Sequence, residues 1–267
     1  MLIPSVKFRL YQIDAFTDKT FGGNPACVVP LDNWLPDDVM LKIAKENAVA
    51  ETAFFVDKGD KIHLRWFTPE IEMDLCGHAT LATAHCLVSI LDYKKDKIIF
   101  ETLSGDLLVS IEEGMYKMDF PARMPVLDIL TTTILNSLNL KPKEVYKSRD
   151  YLLVHENETE IRNIHLDRQL FDQINLETGG VIVSAIGDNC DFVSRFFTPQ
   201  ASILEDPVTG SAHCSLNPFW ARRLHKKELN AQQVSERLGM LYCEDKGDRV
   251  IICGKAKTYS VGDFWIE

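Results

Sequence analysis

Apolar and polar residues alternate over residues 7–16, and this period of two predicts a half-buried strand. The loop Phe21-Gly22-Gly23-Asn24-Pro25 follows, with glycines that permit backbone conformations other residues resist. Residues 26–29 form an apolar run that predicts a buried strand. Pro36, Asp37 and Asp38 then open a helix reaching about Asn47, its acidic residues suited to the N-terminal dipole. Strands are expected at 52–56 and 61–67, with Glu51 at the mouth of the first. Residues 77–91 are apolar or small almost all round, the pattern of a helix enclosed by other structure rather than lying on a surface. Three strands follow at 98–103, 107–112 and 116–120, joined by turns at Ser104-Gly105-Asp106 and Glu113-Gly114.

The pattern changes between Pro121 and Pro125, which divides the chain into halves over residues 1–122 and 123–257. The second half repeats the plan more loosely. Strands are expected at 151–155, 181–186 and 191–197, then a helix from Gly210 that Pro218 should kink or shorten. Strands at 249–253 and 258–266 close the chain, and the last of them, with residues to 267, is placed back on the first half. Strands flank helices in hairpin-like runs rather than in strict strand–helix–strand alternation, so the fold class is α+β.

Composition narrows the partners. The 267 residues carry 29 Lys and Arg against 39 Asp and Glu, a net charge of −10, which disfavours nucleic acid and anionic membrane surfaces. No apolar run reaches the roughly 20 residues that span a bilayer. The start, Met1-Leu2-Ile3-Pro4-Ser5-Val6-Lys7, lacks the layout of a signal peptide. The expectation is a cytoplasmic protein. Its seven cysteines then read as thiols, and the sequon Asn157-Glu158-Thr159 as a chance match.

One motif occurs twice. Arg65-Trp66-Phe67-Thr68-Pro69 leads into Asp74-Leu75-Cys76-Gly77-His78-Ala79, and Arg195-Phe196-Phe197-Thr198-Pro199 leads into Glu205-Asp206-Pro207-Val208-Thr209-Gly210-Ser211-Ala212. Each copy runs strand, turn, acidic residue, then glycine and small residues opening a helix. Internal self-similarity implies two similar halves. Each helix start offers unpaired N–H groups and partial positive charge, suited to a carboxylate or phosphate, with His78 and Ser211 adding hydrogen bonds at matching places. The alternative is plain helix capping with small residues for tight packing. Glu51 stands among apolar neighbours, where desolvation would favour its protonated form and suit it to carrying a proton. The alternative is a glutamate on a solvated strand end. Asp206 could cap its turn or bind a substrate amine. Arg65, Arg195 and Asn24 are candidates for tuning specificity. Cys76, His78, His85, Cys86, His213 and Cys214 invite a zinc reading, but they contain no Cys-x-x-Cys pair and helical spacing scatters them, so no metal is expected.

Five blocks taken together carry a family resemblance. Ile13-Asp14-Ala15-Phe16, Gly23-Asn24-Pro25-Ala26, Glu51-Thr52-Ala53-Phe54, Cys76-Gly77-His78-Ala79-Thr80 and the block from Glu205 to Ala212 resemble the signature blocks of the phenazine-biosynthesis PhzF-like isomerases, in family order over most of the chain. The resemblance implies a fold similar to diaminopimelate epimerase. That fold has two pseudo-symmetric halves, each a mostly antiparallel sheet wrapped around a central helix, with the site in the cleft between them. It implies a cofactor-free isomerase that moves a proton on a small carboxylate-bearing substrate, often as a homodimer. By the resemblance Glu51 is the acid/base, His78, Asp206 and Ser211 hold the substrate, and Gly77 and Gly210 sit at the helix starts that cradle it. Asn24 joins the substrate-binding candidates.

Diaminopimelate epimerase and proline racemase use two cysteines, one at each helix start. Here Cys76 precedes Gly77, but Thr209 precedes Gly210, and a threonine hydroxyl is too weak an acid to replace a thiol unaided. Cys214, a turn inside the second helix, is expected to be buried. Cys76 remains an accessory candidate, either a small buried residue or a partner of Glu51 in an epimerase or racemase. A non-catalytic protein that binds a small anion is the reading from a different class.

Overall fold

The computed structural model describes residues 6–177 and 179–267; the expectation about the signal peptide falls largely on residues 1–5, outside the described residues. The chain forms two compact units. The first ends at Met118 and takes back Gly254–Glu267, and the second runs over Asp119–Cys253.

In chain order the first unit contains β1 (Val6–Ala15), β2 (Asn24–Leu31), α1 (Asp37–Asn47), β3 (Glu51–Asp57), β4 (Ile62–Phe67), β5 (Glu72–Met73), α2 (Gly77–His85), β6 (Lys97–Thr102), β7 (Gly105–Glu112) and β8 (Met115–Pro121). The second contains β9 (Val126–Leu127), α3 (Thr132–Ser137), β10 (Glu144–Lys147), β11 (Tyr151–Val154), α4 (Glu158–Arg162), α5 (Arg168–Phe171), β12 (Val181–Ile186), β13 (Phe192–Phe197), β14 (Glu205–Asp206), α6 (Gly210–Leu224), β15 (Glu228–Gln233), β16 (Gly239–Asp245) and β17 (Arg249–Gly254). The last strand, β18 (Ala256–Ile266), pairs antiparallel with β1 from Val6↔Ile266 to Ala15↔Ala256 and so belongs to the first unit.

Among the described residues, strands of the first unit pair in the order β18-β1-β2-β3-β4-β6-β7-β8, with β5 hydrogen-bonded to β4. The second unit follows β9-β10-β11-β12-β13-β15-β16-β17, with β14 on β13. Both sheets are mixed and share one sequence of directions. β2–β3 and β4–β6 are parallel in the first, β11–β12 and β13–β15 in the second, and the remaining neighbours are antiparallel. The second half therefore repeats the strand order and directions of the first, closer than its sequence pattern suggests, except that the outermost strand comes from the end of the chain in the first unit (β18) and from just before β10 in the second (β9). The four parallel pairs need crossovers, and the segments carrying α1, α2, α4 with α5, and α6 supply them. These crossovers sit among antiparallel hairpins rather than in strict strand–helix–strand alternation, as an α+β fold requires.

Core packing accounts for the strand patterns. On β3, Phe54 and Val56 pack with Val29, Met40 and Ile43, while Ala53 and Phe55 are buried on the opposite face. In the second unit Ile134, Ile161 and Phe171 from the short helices cover Leu153, Val183, Val193 and Phe197. Every residue from Gly77 to Ala84 in α2 is buried, as its all-round apolar pattern predicts, and α2 packs on β1, β2, β3 and β18. The expected helix to residue 91 changes character: after His85 the backbone widens into a π-helical turn at Cys86–Ile90. His85 also fastens the returning strand, with Nε2 3.0 Å from Thr258 Oγ1 and Nδ1 3.1 Å from Tyr116 Oη.

Pro218 does not shorten its helix. α6 runs on to Leu224, because the carbonyl that Pro218 cannot serve, that of Cys214, accepts the Arg123 N–H at 2.8 Å instead. Asn24 and Pro25, expected in a loop, open β2. Glu113 and Gly114 both take positive φ, 51° and 74°, matching a type I′ hairpin.

Candidate active site

Three side chains of the first unit meet at the start of α2. Glu51 is the first residue of β3, paired with Ala26 of β2, two residues beyond the wholly buried Asn24. Cys76 occupies the position before α2 in an extended conformation, with no side-chain cap on the helix. Its carbonyl accepts the Thr80 hydroxyl at 2.5 Å, and the Thr83 hydroxyl donates to the Ala79 carbonyl at 2.7 Å. These bonds tie the first turns internally and leave the leading N–H groups at Gly77 and His78 facing out of the helix end.

His78 stands between the other two. Its Nδ1 is 3.6 Å from Cys76 Sγ, and its Nε2 is 3.2 Å from Glu51 Oε2, a close approach outside hydrogen-bond angles. The His78 side chain is 4% exposed and that of Glu51 15%, so the glutamate is not on a solvated strand end. Burial pushes the His78 imidazole down to about 3, so the ring is neutral at ordinary pH.

Among the described residues these three form the one group of such donors whose ligand atoms lie within 4.8 Å of one another. Three donors are one short of the four that close a structural zinc site. The other residues of the zinc reading are engaged elsewhere. His85 is in its Thr258 and Tyr116 bonds, His213 Nδ1 is 2.8 Å from the Thr209 carbonyl, and Cys86 and Cys214 are buried.

The second unit builds the matching helix start differently. Thr209, the counterpart of Cys76, donates its hydroxyl to Asp206 Oδ2 at 2.5 Å, so Asp206 holds this turn. Gln233 of β15 accepts the Thr209 N–H at 2.8 Å and donates to the Asp206 carbonyl at 2.7 Å. Gly210 opens α6, and Ser211 Oγ accepts from Arg149, which is also paired with the buried Asp150. Arg149 and Gln233 escaped the sequence reading. Gln233 comes from β15 and Arg149 from the bend between β10 and β11, both remote in the chain, and nothing in their local pattern marks them. Asp14, not singled out from the sequence, is a 2% exposed carboxylate on β1 that accepts the Phe21 N–H at 3.0 Å. Its place in the Ile13-Asp14-Ala15-Phe16 block was the available signal.

Arg65 and Arg195 are structural pairs rather than free cations. Arg65 grips Glu72 of β5 through two bonds of 2.6 Å, and Arg195 grips Glu205 of β14 through two of 2.7 Å. Each arginine thereby pins the short strand that leads to a helix start, at equivalent places in the two units. Asn157 of the sequon caps α4, its Oδ1 accepting the Glu160 N–H at 3.0 Å.

On a diaminopimelate epimerase-like fold, each unit presents a helix start reached through a short strand, and the one in the first unit sets a buried neutral histidine beside a carboxylate and a thiol. The family model of the phenazine biosynthesis-like proteins matches residues 13–262. An uncharacterized isomerase of Pseudomonas aeruginosa is 46% identical over 258 residues, covering 96% of this chain and 98% of its own. A phenazine biosynthesis-like domain-containing protein of Homo sapiens is 36% identical over 292 residues, covering 96% and 99%. The crystal structure of a PhzF-family phenazine biosynthesis protein from Enterococcus faecalis superposes with a TM-score of 0.92 at 44% identity, over 98% of this chain and all of that one. The chain belongs to the PhzF-like family of isomerases. Among the described residues no helix is long and apolar enough to cross a membrane.

Proposed function

We infer that this isomerase moves a proton on a small carboxylate-bearing metabolite without a cofactor, and that Glu51 is its acid/base. The observation that carries this reading is the position of Glu51. Its carboxylate is largely buried at the end of β3, beside a neutral imidazole and the positive end of α2. A base so placed removes a proton from a carbon activated by conjugation or by a nearby carboxylate. The N–H groups at Gly77 and His78 stabilise the charge that develops. Glu51 then returns the proton elsewhere on the same face, which suits a suprafacial shift better than racemisation. By family pattern His78, Asp206 and Ser211 hold the substrate and Gly77 and Gly210 sit at the helix starts that cradle it, with Asn24 a further substrate-binding candidate. The Arg149 bond to Ser211 supports this by orienting the hydroxyl.

The test is deuterium uptake from deuterated water, followed by mass spectrometry over dihydro-hydroxyanthranilate, diaminopimelate and simple amino acids. Uptake in one of them that falls by about 10³-fold or more in Glu51→Gln is the expected outcome, since general acid–base catalysis contributes about 10²–10⁴-fold. Undiminished turnover in that variant refutes the assignment.

A further inference from the structure

The face of α6 that lies on its sheet carries polar atoms that the second unit does not itself satisfy. His213 and Asn217 are 0% exposed and Ser194 of β13 is 1% exposed. Yet His213 Nε2, Asn217 Oδ1 and Nδ2, and Ser194 Oγ have no hydrogen-bond partner among the described residues. Buried polar atoms are paired in the great majority of cases, so such a group calls for a partner from outside the chain. The atoms belong to one place. Helical spacing puts His213, Asn217 and Trp220 on one face of α6. That face meets β12 and β13: the Phe192 ring lies 5.8 Å from that of His213 and 5.9 Å from that of Trp220, and Trp220 Nε1 donates to Ser184 Oγ at 2.9 Å. Ser194 is two residues beyond Phe192 and directly opposite Ser184 in the strand register, so it shares their face.

The first unit shows that the fold does not require this polarity. The doubled motif makes Leu64 the counterpart of Ser194, and the register then makes Phe55, opposite Leu64, the counterpart of Ser184. Counted from the glycines that open the two helices, Thr80 and Ala84 are the counterparts of His213 and Asn217. Where the first unit buries Phe55, Leu64 and Ala84, the second buries two serines and an asparagine. The carbonyl before each helix is held in the same way, by the Thr80 hydroxyl at Cys76 and by His213 Nδ1 at Thr209. Histidine brings a second ring nitrogen to that task and threonine does not. A carbonyl only accepts, so Nδ1 carries the proton of this neutral ring and Nε2 is a bare acceptor.

We propose that the second unit binds water between α6 and the β12–β13 face, where it bridges His213 Nε2, the Asn217 amide and the Ser194 hydroxyl. The chemistry of these groups selects water over an ion. They offer N–H donors, a hydroxyl and bare acceptors, and none of them carries a charge. A cation would be repelled by the amide N–H groups and an anion by the ring and carbonyl lone pairs. A molecule that both donates and accepts suits them all, and a buried water makes about three such bonds. Through His213 this water is tied to the Thr209 carbonyl, and Thr209 is bonded in turn to Asp206 and Gln233. The bound water therefore anchors the second helix start to its sheet.

The water site is read without substrate, so it stands or falls independently of proton transfer by Glu51. A high-resolution crystal structure of the wild type decides occupancy, and thermal unfolding of Asn217→Leu decides what the amide does. Leucine keeps the approximate size of asparagine and removes both polar atoms. An amide bridged by water loses its bonds in that variant, and the melting temperature falls by about 2 °C or more. An amide left unpaired is a burden to the fold, and its removal raises the melting temperature. Ser194→Ala gives the same contrast in sign if Asn217→Leu fails to fold. The expected result is ordered water within hydrogen-bond distance of at least two of the three side chains, together with the fall in melting temperature. The proposal is overturned by water reaching fewer than two of them, or by side chains turned into direct bonds with one another. An unchanged or raised melting temperature in the variant overturns it equally.

Discussion

Moving from about pH 7.5 to about pH 5.5 should cost this protein roughly 4 kcal/mol of stability, and three histidines set the size. Burial pushes His78 down to about 3 and His213 down to about 4, and burial reinforced by Lys257 takes His85 down to about 4. In the unfolded chain each returns to about 6.5. A histidine lowered in this way is neutral in the fold and takes up a proton on unfolding, so its contribution is fully present above the unfolded value. That contribution is lost as pH falls through the window between the unfolded and folded values. At about pH 5.5 the unfolded imidazole is about nine-tenths protonated and the native one almost not at all, which is about 1.3 kcal/mol per histidine relative to about pH 7.5. His155, lowered by burial against the opposing pull of Glu160, acts in the same sense. The assay is urea unfolding at the two pH values with the slope checked for constancy, together with His85→Gln. That variant should lose about 1.3 kcal/mol less than wild type on acidification, whatever it does to stability at neutral pH. A loss below about 1 kcal/mol in the wild type would refute the reasoning, since it would mean that these rings protonate without unfolding.

The matched ion pairs should differ in cost. In Glu205→Gln the Arg195 guanidinium, 13% exposed, loses its only counter-charge among the described ion pairs and keeps the carbonyls of Ile161, Arg162 and Ile164 and the face of Phe197, none of them charged. A loss of about 3 kcal/mol is expected. Glu72→Gln leaves Arg65 its bond to Asp37, so about half that loss is expected in the same denaturant assay; equal losses would refute the distinction. Gly23→Ala should destabilise by about 3 kcal/mol, measured by thermal unfolding. Its φ is +61° and an added Cβ would lie 2.0 Å from the Ala15 carbonyl oxygen. Gly59→Ala, at φ +88° with open space around it, should cost only about 1 kcal/mol, and parity between the two would sink the account.

Local pattern by itself determined the elements whose environment is uniform along their length. The alternation of β1, the apolar runs of β2 and β3 and the all-round apolar surface of α2 each announce their surroundings, because burial acts on every residue of such a segment. The doubled motif revealed two related halves, and the five blocks in order revealed the family, since a site constrains residue identity as well as hydrophobicity. Tertiary structure alone decided the rest. β5 and β14 are two residues long and exist only because Arg65 and Arg195 hold Glu72 and Glu205 against the neighbouring strands. β15, with its polar Glu228-Leu229-Asn230-Ala231-Gln232-Gln233, is a strand because β13 and β16 flank it. The helix passes Pro218 because a residue from elsewhere in the chain, Arg123, takes the orphaned carbonyl. The meeting of Cys76, His78 and Glu51 joins positions 25 residues apart on a strand and a helix start, and no periodicity encodes it. Sequence pattern carries the solvent each segment will meet; contacts between segments arise only when the sheet's register brings their side chains together.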